Sequence, residues 1–198
     1  MRAASLCGRA EDPNVKSTDA LVSLVDAAVE SKDLEEVVTR LRVGLCELIT
    51  SGEIQLPQRV LECNADHYAR RLLHRDDERK YSIVAMTWGP KQGTPLHDHG
   101  GTWCVEGVFR GSIEVQQYEL LEQHDGRYRF DKRGSFQAGI GSAGCLIPPH
   151  EYHLIRNAGS VPAVSVHIYG GEMDRCSVFE PASQGWFLRH EKALGLDI

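Results

Sequence analysis

The chain predicts a mainly β fold, one small barrel or sandwich with helices packed outside it. Three observations carry that expectation. From about residue 66 the sequence breaks into short runs rich in β-branched and aromatic residues, punctuated by glycine. Ahead of that point apolar residues recur at helical spacing. A length of 198 residues with 41% hydrophobic content suits one core of ordinary size.

Taken in order, residues 1–16 show no such pattern and are expected to form a flexible arm. Residues 17–65 form the helical region. A cap at Ser17–Asp19 precedes Leu21, Leu24, Val25, Ala28 and Val29, and Leu34, Val37, Val38, Leu41 and Leu45 repeat the spacing, so two amphipathic helices follow. Pro57 opens a shorter helical segment through Val60 and Leu61, because proline in a first helical turn forfeits no needed hydrogen bond. Residues 66–198 form the barrel. Its strands are read in "YSIVAMTW", "WCVEGVF", "SIEVQQYEL", "RYRF", "GCLIPP" and "AVSVHIY".

Composition excludes several classes of function. A net charge of −6 gives no basic footprint for nucleic acid or an anionic membrane, so a small-molecule partner is expected. No apolar run approaches the roughly 20 residues of a membrane span, and the start lacks the apolar stretch of a secretory signal. Both point to the cytoplasm. Six cysteines without a C-x-x-C pair exclude a zinc ribbon and a thioredoxin-type redox motif and suit a reducing compartment. The sequence leaves open whether the protein is a monomer or a small homo-oligomer.

The chemistry gathers around "TPLHDHGGTWC" and "PPHEYHLIRN". Side chains alternate along a strand, so His97 and His99 are expected on one face and Asp98 on the other. His150 and His153 compete to supply a third imidazole, which a barrel can bring to the same cavity from far along the chain. In "SVHIY", Ser165, His167 and Tyr169 share a face, an odd trio for a plain core. "YARRL" places Tyr68 and Arg70 on one face and Arg71 on the other. A guanidinium there suits a carboxylate, because its planar fork can donate two parallel hydrogen bonds. Gly100 and Gly101 let the chain turn away from the metal strand, and Trp103 belongs either to the pocket or to the core.

These residues resemble the cupin barrels. Their first motif is H-x-H, three or four residues, Glu, six residues and Gly; here His97 and His99 are followed by four residues, Cys104, six more and Gly111. Cysteine stands where the glutamate would be. In the second motif three residues separate His from Asn, which fits His153 and Asn157 and favours His153 over His150. Loss of the glutamate is similar to the thiol dioxygenases, a cupin branch that includes cysteine dioxygenase, and the likeness runs from about Tyr68 to Tyr169.

The resemblance implies a set of roles. His97, His99 and His153 would hold Fe(II), although imidazole ligands alone would equally accept Zn, Cu or Ni. Three neutral ligands leave the ion its full charge and open positions, suited to capturing a substrate thiolate next to O2. Arg70, with Tyr68 beside it, would bind the substrate carboxylate. Ser165, His167 and Tyr169 would form a hydrogen-bonded chain ending at a tyrosine hydroxyl near the metal, and Cys104 matches the position that bonds to that tyrosine in the animal-type enzymes. The expected reaction is conversion of L-cysteine to cysteine sulfinate. The alternatives are 3-mercaptopropionate or mercaptosuccinate as substrate, suggested by Gly170-Gly171 and by a second carboxylate contact from Arg175, and a metal-binding cupin that senses a ligand without turnover. Arg175 is otherwise an ordinary surface charge.

Overall fold

A computed structural model describes residues 15–149 and 151–198. Helices α1 (Val15–Val29) and α2 (Leu34–Ser51) lead the chain, followed by a 3-10 turn at Gln58–Leu61 with Pro57 at its N-cap. Because α1 begins at Val15, Ser17–Asp19 lies inside the helix rather than capping it. All but the last two residues of the expected N-terminal arm fall outside the described residues. In α2 the start is fixed by Asp33, whose side chain accepts from the Glu35 amide, and the end by Gly52 at φ 75°.

Eleven strands follow: β1 (Ala69–Asp76), β2 (Tyr81–Trp88), β3 (Leu96–His97), β4 (Cys104–Arg110), β5 (Ser112–His124), β6 (Arg127–Gly139), β7 (Ala143–Leu146), β8 (His153–Arg156), β9 (Ala163–Tyr169), β10 (Arg175–Pro181) and β11 (Phe187–Ala193). One sheet has the order β1-β2-β9-β4-β7, and the other closes on itself as β10-β11-β6-β5-β8-β3. This is a jelly-roll barrel of cupin type, with the helices outside it.

The first sheet is buried on both faces, which is why β2 and β9 read as near-continuous apolar runs. On the outer face Tyr81, Ile83, Ala85, Val105, Val164, Val166 and Ile168 meet Leu21, Val25, Leu41, Leu45 and Ile49 of the helices. Helix α2 approaches closely at Gly107, where a β-carbon would lie 2.8 Å from Leu45 Cδ2. On the inner face the alternate residues Val84, Met86, Trp88, Cys104, Val108 and Tyr169 join Ile113, Val115, Ile155 and Val178 of the second sheet. Aromatic residues Tyr128, Phe130, Tyr152, Phe179 and Phe187 fill a third cluster.

Two expectations need correcting. Arg71 does face away from the barrel interior, yet it is buried, donating to the carbonyls of Val60 and Glu62 in and after the 3-10 turn. The outer face of this sheet is covered by the N-terminal region, so outward does not mean exposed. Secondly, β3 ends at His97, so strand alternation is not what positions His99.

Candidate metal centre and substrate pocket

His97 on β3 stands directly opposite His153 on β8, and their Nε2 atoms are 3.2 Å apart. His99 joins them from the loop that follows β3. Asp98 pins that loop to β10 by accepting the Ser177 amide at 2.8 Å and then the Gly100 amide at 3.1 Å. Gly100 and Gly101, at φ 62° and 82°, complete the turn in a region that residues with a side chain resist. The three rings pack with centroids 4.5–5.3 Å apart, and one ligand atom from each lies within 4.8 Å of the others. Burial lowers all three pKa values, His97 to about 4, so the imidazoles are neutral with lone pairs free. His97 Nδ1 lies 3.1 Å from the Pro95 carbonyl; that contact places its proton on Nδ1 and leaves Nε2 to ligate. One donor atom from each of three buried, neutral imidazoles converges within 4.8 Å, so the donor set fits a metal. His150 lies outside the described residues.

The pocket beside this trio is lined by Tyr68, Arg70, Trp88, His167, Tyr169 and Met173 among others. Its cavity is small, about 20 Å³. Tyr68 stacks on Trp88 with centroids 4.7 Å apart. Arg70 is 4% exposed; its guanidinium donates to the carbonyls of Gly195 at 3.0 Å and Met173 at 2.9 Å, while its Nε has no partner. No carboxylate among the described residues pairs with this buried cation, whose charge therefore reaches into the pocket.

Trp88 Nε1 donates to Ser165 Oγ at 2.9 Å, and Ser165 Oγ is 2.7 Å from His167 Nε2. The chain stops there. His167 and Tyr169 stack with centroids 6.0 Å apart and are not hydrogen-bonded, contrary to the implied Ser165–His167–Tyr169 chain. Successive inward residues on one strand stand side by side, and the His167 ring turns to Ser165 instead. Tyr169 packs edge-on to His99 and opposes Cys104 across the β9–β4 pair. Burial holds the Cys104 thiol and the Tyr169 phenol well above their usual ranges.

Arg175 is exposed, in an ion pair with Asp174, and offers no second contact to the pocket. Trp103 packs against the helix-facing core, its indole covering Gly170 so closely that a β-carbon there would lie 2.1 Å from Nε1. Sequence reasoning missed several wall residues: Met173, Cys176 and Val178 around β10, and Lys192 and Leu194 in and after β11. It also missed Glu151, buried beneath the amides of His99 and Gly101 and raised by burial to about 7. No signal flagged them, since the backbone that brings them together is formed by strands paired far apart in sequence.

A jelly-roll barrel that brings three neutral imidazoles to one point on its inner face defines a cupin with a three-histidine candidate metal centre. A family model described as cysteine dioxygenase type I matches residues 53–182. The chain belongs to that family. It is 22% identical over 122 residues to rat cysteine dioxygenase type 1, covering 57% of this chain and 56% of the rat protein. With the bovine protein of the same name the identity is 23% over 167 residues, covering 75% and 78%. The chain thus spans about half the length of the rat relative. Among solved structures it is similar to a double-stranded β-helix protein from Klebsiella pneumoniae, at a TM-score of 0.48 and 15% identity over 62% of this chain and 93% of that one. No helix among the described residues is long and apolar enough to cross a membrane.

Proposed function

We propose that this protein is a non-haem Fe(II) thiol dioxygenase that adds both atoms of O2 to the sulfur of a small carboxylate-bearing thiol, with L-cysteine, giving cysteine sulfinate, as the first substrate. The reaction balances as one thiol and one O2 yielding one sulfinic acid. The observation that carries the proposal is Arg70: a buried guanidinium with no carboxylate partner among the described residues, in the wall of the same pocket as His97 and His99. A buried cation needs an anion, and a substrate carboxylate supplies it.

Each residue then has a task. His97, His99 and His153 hold the ion, which when bound supplies a Lewis-acidic point that draws thiolate and O2 together. Arg70 fixes the carboxylate, so the sulfur is directed toward the histidines. Tyr68 and Trp88 form a flat wall that limits the substrate to a short chain. Ser165 steadies His167 beneath the pocket, and the Tyr169 ring packs against His99. Cys104 and Tyr169, opposed in register, are within reach of a thioether between Sγ and the phenol ring. Forming it breaks the S–H bond and one ring C–H bond, and O2 as the oxidant takes up both hydrogens and two electrons as hydrogen peroxide.

Cysteine is favoured over the mercapto acids by two details. Gly170 is explained by the Trp103 indole rather than by the substrate, and Arg175 does not reach the pocket. The five described cysteines are all free, which supports a reducing, cytoplasmic setting. The test is oxygen uptake by the Fe(II)-loaded protein with cysteine, 3-mercaptopropionate and mercaptosuccinate in parallel. Uptake fastest with cysteine, matched by sulfinate formation, is expected; no uptake with any thiol overturns the proposal in favour of a ligand-sensing cupin.

A further inference from the structure

A second cluster of metal-ligating groups lies on β4 and β9. Glu106 stands opposite His167 in the register, and Cys104 opposite Tyr169. Donor atoms of Cys104, Glu106 and His167 all lie within 4.8 Å of one another, and all three residues are buried. Glu106 Oε2 and His167 Nδ1 are 3.4 Å apart, and neither has a hydrogen-bond partner. That separation is long for an N–H···O bond, which prefers about 2.7–3.2 Å. Two donors bound at roughly 2.0–2.1 Å to a tetrahedral ion stand about 3.3–3.4 Å apart, which matches.

We propose that Cys104, Glu106 and His167 form a second metal site, separate from the three-histidine centre and selective for a tetrahedral, thiophilic divalent ion of the zinc class. Its outer contacts are in place. With Nε2 of His167 turned to Ser165, itself held by Trp88, the ring is oriented with Nδ1 toward the carboxylate. Thiolate and carboxylate together carry two negative charges, which balance a divalent ion in a buried site; on binding, the thiol and carboxyl protons leave to solvent. An entry path exists as well. A cavity of about 190 Å³, lined by Glu106 of this trio with Val108, Gln117, Ser142, Cys145, His153 and Ser165, leads to the carboxylate side of the site and can hold water there. The softer donor set distinguishes this site from the all-imidazole one. An ion here would occupy the Cys104 sulfur, so metal occupancy and a Cys104–Tyr169 bond exclude each other.

The site does not depend on the dioxygenase reading, and Co(II) tests it without turnover. Metal-free protein, shown by intact mass to lack any crosslink, is titrated with Co(II) while bound metal and the thiolate-to-cobalt charge-transfer band are followed. The expected result is two ions per chain with the band present. His97→Ala/His99→Ala should keep one ion and the band, since no thiolate serves the histidine trio. Cys104→Ser should lose the band, and Glu106→Gln should weaken the band-forming ion by at least about tenfold, in line with loss of one ligand. Absence of the band from wild type, or its survival in Cys104→Ser, overturns the proposal.

Discussion

Arg70→Gln separates carboxylate recognition from everything else this side chain does. A guanidinium has five N–H donors, and two of these go to the Gly195 and Met173 carbonyls. Three remain, including the unpartnered Nε–H, and a bidentate clamp uses two. Hydrogen bonds to charged groups contribute about 1.5–3 kcal/mol each, and glutamine can retain one of them without the charge. The expected loss is therefore about 2–4 kcal/mol of transition-state binding, or roughly 30- to 1,000-fold in kcat/KM for cysteine. Cysteamine, which has the thiol and the amine but no carboxylate, is the control. The freed carbonyls also destabilise the fold, by about 1–3 kcal/mol, but that cost falls on both substrates and is measured by thermal melting. If oxygen uptake with cysteamine falls as far as with cysteine, Arg70 is not a carboxylate clamp and the argument fails.

Other outcomes follow from the same geometry. Gly170→Ala drives a β-carbon to within 2.1 Å of Trp103 Nε1, so it should lower stability by about 1–3 kcal/mol in denaturant melts; an unchanged midpoint would show that the indole moves freely. Glu114 is held down to about 2 by the Ser135 hydroxyl, then by Arg156 and Gln116, from an ordinary value of 4.5. Because its folded pKa is depressed, its contribution is complete above about 4.5 and is lost as pH falls toward 2. The stability gap between wild type and Glu114→Gln should therefore close over that window, whereas a gap independent of pH would remove the ion pair from the account. After turnover with iron and cysteine of protein first stripped of other metals, so that the Cys104 sulfur is unoccupied, intact mass should show a deficit of two hydrogens that is missing in Cys104→Ala; equal masses would exclude the thioether.

How far the sequence could be read depended on what a local pattern records. Strands β2 and β9 were legible end to end, because both of their faces are buried and their residues are almost all apolar. The β5–β6 hairpin was legible only in part: beyond the barrel its strands are mostly exposed, so outside "RYRF" the flanking "EQHDG" and "DKRGS" show no apolar period although they continue to pair. Strand β11, "FLRHEKA", is exposed and carries helix-forming residues; pairing with β10, not composition, makes it a strand. At the site, His97 and His153 were marked by motif spacing, while the position of His99 was inferred from a strand that ends two residues too early. Buried acids such as Glu106 and Glu114 are beyond a local reading, since what makes a charge tolerable inside is a partner brought from another strand. Arg71 shows the same limit from the other side, as a charge covered by the helical region.

Strand β9 is a shared wall. Val164, Val166 and Ile168 belong to the core cluster shared with the helical layer, and Ser165, His167 and Tyr169 alternate with them on the opposite side. One peptide unit is all that separates a residue of the helix-facing core from a residue on the opposite, inward side of the strand. A substitution in the core beneath the helices is thus separated from the inward-facing side chains by the thickness of a single strand.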